Sequence, residues 1–166
     1  MKNMGDFDYL PYCIPCKAWC CHSENPFASK SELKGLSISK ITHKKNTDCV
    51  FLKDSKCKKH ALRPFECRIF PFDVKEIDGE LWWVLWKNCP ASSKLPAKEF
   101  VKFFEKEYPK KWGLKYVKDY VNYHKKAEPA KYSGLKFKKL KRLDWNILKK
   151  KGKENCVRFS VLFPIP

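Results

Sequence analysis

Eight of the nine cysteines of this chain fall between residues 13 and 89, in the order Cys13-x2-Cys16-x3-Cys20-Cys21, then Cys49-x7-Cys57-x9-Cys67, then Cys89-Pro90. Two thiolates separated by two residues are brought to the same side by the turn between them and grip one metal, which is why such pairs recur in zinc and iron–sulfur sites. A disulfide framework is the rival use of so many cysteines. The opening Met-Lys-Asn-Met-Gly-Asp-Phe-Asp has no apolar stretch and carries two acids, so it reads as neither a secretory signal nor a transit peptide. The expectation is a protein of the reducing cytosol, where disulfides rarely persist, and the odd total argues against complete pairing. The candidate metal ligands are therefore Cys13, Cys16, Cys20, Cys21, Cys49, Cys57, Cys67 and Cys89, with Cys156 outside the constellation.

A chain of 166 residues allows one modest core plus an appendage. Its 43% hydrophobic content, with six Trp, seven Tyr and twelve Phe, is too apolar for a disordered protein. No apolar run approaches the ~18 residues of a membrane span, so no membrane association is expected. The formal charge of +18 is uneven, and half of it lies in the last 36 residues. A basic segment over residues 131–153 suits a polyanionic partner such as nucleic acid or an acidic protein surface. The plainer reading is lysine-rich solvation, since only four of the 36 basic residues are arginine.

Pro90, Ala91, Ser92, Ser93 and Pro96 break the hydrophobic pattern and divide the chain into a cysteine-rich part, residues 1–94, and a lysine- and aromatic-rich part, residues 95–166. In the first part, Ser29 to Ile41 predicts one short helix capped by Ser29 or Ser31. Pro64 opens another through Phe65 to Arg68 that Pro71 ends. Phe72 to Ile77, Asp78-Gly79, and Glu80 to Trp86 form a hairpin pattern around a type I′ dipeptide. Its second strand is apolar on both faces, which requires burial in the centre or under the metal site. Beyond Pro96, Phe100, Phe103, Phe104 and Tyr108, then Tyr116, Tyr120 and Tyr123 after Gly113, recur at helical spacing and predict two amphipathic helices whose aromatic stripe is core. Lys136 to Lys153 reads as a basic amphipathic helix and Cys156 to Phe163 as a last strand. The predicted fold class is α+β: a small cysteine-rich, metal-stapled domain with a short β-hairpin, followed by a helical basic extension.

Arg63 and Arg68 flank Cys67 and are the only arginines in the first 141 residues. A tetrathiolate around Zn²⁺ or a [4Fe–4S]²⁺ core carries about −2 and favours nearby cations and N–H donors. Arginine in a lysine-rich chain points either to a planar multi-donor role, toward thiolates, a carbonyl or a carboxylate, or to a helix-end ion pair with Glu66. Of the histidines, His22, His43, His60 and His124 read as surface or core residues rather than ligands.

The motifs Cys13-x2-Cys16-x3-Cys20-Cys21, Cys49-Val-Phe-Leu52 and Cys57-x5-Arg63-Pro64-x2-Cys67-Arg68-Ile-Phe-Pro71-Phe72 resemble those of the YkgJ-like CxxCxxCC family of zinc- or iron-chelating proteins, also labelled iron–sulfur-cluster-containing proteins. The resemblance covers about residues 10–90. It implies metal chelation and leaves the metal and the cellular role open. Two departures stand out: three residues rather than two precede the vicinal pair, and Lys59-His60 replaces an aliphatic-Tyr pair, which makes His60 a further ligand candidate. Flagellin lysine methylases carry a similar cysteine pattern, but this chain has no Gly-rich strand-to-helix loop for a nucleotide-like cofactor. The x2-then-x3 order is the reverse of the radical-SAM triplet.

Two functions stand against each other on this reading. One is a metal-binding protein, with an iron–sulfur cluster or zinc, in a redox or metal-handling role. The other is a zinc-stapled module that contacts nucleic acid through residues 131–153. A hydrolytic zinc enzyme has least support, because such sites mix His or carboxylate with an open position whereas every candidate ligand here is a thiolate.

Overall fold

The structure, a computed structural model, describes residues 12, 17–22, 26–41, 48–131 and 136–144, without the side chains of 108–111 and 127–131. Cys13, Cys16, His43, Cys156 and the strand expected at 156–163 lie outside these residues. The described elements are α1 (Lys30–Gly35), β1 (Leu52–Lys53), β2 (Lys56–Cys57), α2 (Phe65–Ile69), β3 (Phe72–Ile77), β4 (Glu80–Trp86), α3 (Ala97–Lys111), α4 (Leu114–Lys131) and β5 (Phe137–Arg142). Helices with small antiparallel sheets make the fold α+β, as predicted.

The hairpin of β3 and β4 forms with Ile77 opposite Glu80. Asp78 and Gly79 between them both take positive φ, 55° and 78°, as the I′ turn requires. β4 lies between β3 and β5. That central place explains why its sequence is apolar on both faces.

The basic segment beginning at Lys136 does not continue as the predicted helix: residues 137–142 are a strand, antiparallel to β4. The correction has a physical cause. β4 needed a second neighbour for its backbone, and the cations of β5 find partners on β4 and α3, with Lys139 over the Trp82 ring at 4.8 Å, Arg142 on Glu80 at 2.8 Å and Lys141 on Glu105 of α3 at 2.5 Å. A bulge between Trp83 and Val84 skips Leu140, which turns in toward the core. Residues 145–153 of the expected helix are outside the described residues.

The two helices after Pro96 form as their periodicity predicts and break at Gly113. Phe100 stacks on Phe72 with ring centroids 3.7 Å apart, and Phe104 faces Trp83 at 5.7 Å, so α3 covers one face of the sheet. From α4, Tyr116 and Tyr120 meet Phe65 edge-on at 5.4 and 5.5 Å. The main core thus draws Phe65, Phe72, Val74 and Trp83 from before the Ser92–Pro96 break and Phe100, Phe104, Val117 and Tyr120 from after it. Tyr123, from the same predicted stripe, is exposed. A second, smaller cluster of Leu36, Ile41 and Cys49 lies under the cysteine-bearing turns. Among the described residues no helix is long and apolar enough to cross a membrane.

Candidate metal centre

The cysteines are carried by turns rather than by long elements. Cys20 and Cys21 occupy a 3₁₀ turn, Trp19–His22, entered through positive φ at Lys17 and Ala18. Cys49 and Cys57 bracket the β1–β2 hairpin, whose turn residues Asp54 and Ser55 both have positive φ. No alternating apolar pattern announces so short a hairpin, and Asp54-Ser55 is a weak turn dipeptide beside Asp-Gly, so sequence reasoning missed it. Two bonds fasten this hairpin to the 3₁₀ turn: Cys49 N donates to the Cys21 carbonyl at 2.8 Å, and His22 Nδ1 meets Asp48 Oδ1 at 2.6 Å. Cys67 stands in α2 on the third side.

Electrostatics show that these thiols are neighbours. Cys20 donates to the Cys21 sulfur and, with His22 and Arg63 close by, holds the Cys21 thiol at about 7 against the opposing effect of partial burial. Burial raises Cys49 and Cys57, and the negative charge of Cys21 raises both further. Cys67 is solvent-accessible, yet the protein around its sulfur pushes it well above the usual thiol range. Glu66, Cys21, Cys49 and Cys57 all add to that shift. The Cys21 charge thus acts on Cys49, Cys57 and Cys67, and the Arg63 cation acts on Cys21 and Cys57. Cys89 is buried in the turn after β4, where its carbonyl accepts from Ser92 N at 3.0 Å.

Among the described residues, no three His, Cys, Asp or Glu side chains close on one point as a ready coordination sphere. The donor chemistry nonetheless fits a soft or borderline cation. Cys49, Cys57 and Cys67 are shifted toward the neutral thiol, and a Zn²⁺ or iron held there would supply the positive charge that stabilises their thiolates.

The two arginines divide their work. Arg68 is buried and donates through Nε to the Arg63 carbonyl at 2.8 Å and through Nη2 to the Ala61 carbonyl at 2.6 Å, which fixes the loop leading into α2. Arg63, also buried, meets the His60 ring, so His60 is engaged as an arginine partner. Glu66 turns the other way, accepting from Phe27 N and facing His124 Nε2 at 3.3 Å. Of the readings open for these arginines, carbonyl anchoring is the one seen for Arg68.

Residues 12–103 match the family model CxxCxxCC, described as a putative zinc- or iron-chelating domain. No curated protein and no solved structure matches the chain. The match spans all six described cysteines, both arginines and the whole β3–β4 hairpin, and ends within α3.

Proposed function

Since the chain belongs to the CxxCxxCC family of zinc- or iron-chelating domains, we infer that its thiols hold iron as an iron–sulfur cluster, in a redox or metal-handling role in the cytoplasm, with zinc as the rival metal. The carrying observation is that Cys49 N donates to the Cys21 carbonyl at 2.8 Å and that the Cys21 charge raises Cys49, Cys57 and Cys67, so that four thiols from three segments are linked. Four thiolates are a complete ligand set for either metal form. We assign these four to one site and Cys13, Cys16, Cys20 and Cys89 to a second, so that the vicinal pair is divided between two adjacent centres. When bound, an iron–sulfur cluster supplies one-electron chemistry, and zinc supplies a structural staple. The chain's own contribution is a low-pKa thiol at Cys21, an arginine cation at Arg63 and the rigid loop that Arg68 holds. Arg63 favours the thiolate at Cys21 and Cys57 and would offset part of the negative charge of the ligand set.

Anaerobic purification followed by metal and acid-labile sulfide analysis tests this reading. A brown protein with iron and sulfide in comparable amounts supports it. Stoichiometric zinc without sulfide replaces the cluster by a staple, and absence of both metals overturns chelation.

A further inference from the structure

The face of the three-stranded sheet opposite α3 has a composition unlike the rest of the surface. Cross-strand pairing places Lys75, Trp82 and Arg142 side by side, puts Val84 beside Lys139, and Trp86 beside Phe137; Val84 and Trp86 are buried, and the accessible part of the face is the half-buried Trp82 with the exposed Phe137, Lys139 and Arg142. Lys75 Nζ lies 5.0 Å from the Trp86 ring centroid and 5.5 Å from that of Phe137, and Lys139 Nζ lies 4.8 Å from that of Trp82. Phe137 meets Trp86 edge-on at 5.5 Å and is itself exposed, at 37%. Of the exposed cations of β5, Lys139 and Arg142 lie on this face, while Lys138 and Lys141 pair with Leu85 and Trp83 on the α3 side. Of the acids on this face, Asp73 is buried and accepts from Trp86 Nε1 and Tyr120 Oη, and Glu80 is paired with Arg142 at 2.8 Å. Aromatic rings and cations thus alternate over a pleated surface on a chain of net charge +18.

The geometry points to this face, centred on Phe137 and Trp82, as a binding surface for single-stranded nucleic acid, with bases stacked on the two rings and phosphates met by Lys139 and Arg142. Charge complementarity selects a polyanion, and the rings select one with exposed planar groups. A duplex hides its base faces within the stack, and an acidic protein surface has no use for a row of rings. The lysines that now cap the rings are long and flexible. A surface cation–π contact is weaker than base stacking, so a strand displaces the ammonium from the ring and gives it a phosphate in exchange. The face is built from β4 and β5 and does not depend on which metal the cysteines hold. The inference therefore stands or falls separately from the chelation reading.

The test is fluorescence anisotropy of a labelled oligothymidylate of about twelve nucleotides with the full-length, metal-loaded chain, repeated across a salt series. Phe137→Ala is expected to weaken binding by about tenfold at fixed salt and leave the slope of log affinity against log salt unchanged. The double variant Lys139→Gln/Arg142→Gln is expected to flatten that slope by about 1.4, from about 0.7 for each single-strand phosphate released. Phe137→Leu, which keeps an apolar side chain beside Trp86 but removes the ring, serves as arbiter if the alanine variant loses its near-UV circular dichroism. Three results would each overturn the inference: no binding at about 50 mM salt, wild-type affinity in Phe137→Leu, or equal competition by inorganic polyphosphate, which shows polyanion attraction without stacking. Tighter binding of a duplex or of an acidic protein counts against it as well.

Discussion

His124, near the middle of α4, places Nε2 3.3 Å from Oε2 of Glu66, the residue that precedes Cys67. Both side chains are largely buried, at 7% and 14% exposed. The helical part of the chain is thereby latched onto the helix that presents a cysteine. His124→Ala leaves Glu66 with the Phe27 amide and a lost partner, so it should destabilise the metal-loaded protein by ~1–3 kcal/mol. The measurement is the urea midpoint. Lys115→Ala, which removes an exposed pair with Asp119, is the comparison and should cost ~0.5 kcal/mol or less.

Glu32 is a denser junction. Its Oε2 accepts from Ser29 N, Ser29 Oγ and Tyr116 Oη, each at 2.8 Å, and its Oε1 accepts from Phe65 N at 2.8 Å. Ser29 returns the favour by capping Glu32 N, completing a capping box. One carboxylate thus caps α1, meets the start of α2 and anchors α4. Glu32→Ala strands the Phe65 amide and the Tyr116 hydroxyl together and should cost ~2–4 kcal/mol. Glu32→Gln keeps an acceptor and should cost less. Equal urea midpoints for the two variants would remove the carboxylate from this role.

Tyr116 gives a pH dependence with a definite sign. Burial, followed by the charge of Glu32 and its acceptance of the hydroxyl proton, raises the phenol well above its ordinary range. The folded chain keeps this proton at a pH where the unfolded chain, titrating near ~10, has lost it. Fewer protons bound in the unfolded state mean that stability falls as pH rises above ~10, by up to ~1.4 kcal/mol per pH unit. Below ~10 the contribution is constant. Tyr116→Phe should show a smaller alkaline loss. Urea unfolding at about pH 9 and about pH 11 compares the two proteins, and an identical loss in Tyr116→Phe rules the phenol out.

What was legible in the sequence was local. Asp78-Gly79 declared the β3–β4 turn, Ser29 was one of two candidate caps for a helix start, and the spacing of Phe100, Phe104, Tyr116 and Tyr120 declared two buried helix faces. β5 was illegible for the opposite reason. Phe-Lys-Lys-Leu-Lys-Arg has neither strand alternation nor strand composition, and what holds it is Trp82, Glu80 and Glu105, all distant in sequence. The same applies to the bond from Tyr116 to Glu32, which joins residues 84 positions apart. At the cysteines, spacing identified the ligand candidates but not their grouping. That grouping depends on a two-residue hairpin and on positive-φ turns at Lys17, Ala18, Asp54 and Ser55, whose side chains do not announce them.

Metal removal should divide the chain unevenly. The main core, from Phe65 to Leu143, contains no cysteine side chain, and among its helices and strands only α2 carries a candidate ligand, Cys67. The cysteine-bearing turns rest instead on the small cluster of Leu36, Ile41 and Cys49 and on a few backbone bonds, among them Cys49 N to the Cys21 carbonyl, Leu52 N to the Cys49 carbonyl and Lys58 N to the Phe51 carbonyl. Three buried side chains are few to offset the ordering of that many turn residues, and bound metal supplies the difference. Chelation under reducing conditions should therefore strip amide-exchange protection from residues 49, 52 and 58, while the amides of β3, β4 and α3 keep theirs and a cooperative thermal transition survives. Protection retained at Cys49, Leu52 and Lys58 after complete demetallation would make the metal incidental to the fold. Protection lost throughout β4 would show instead that the metal organises the whole domain, main core included.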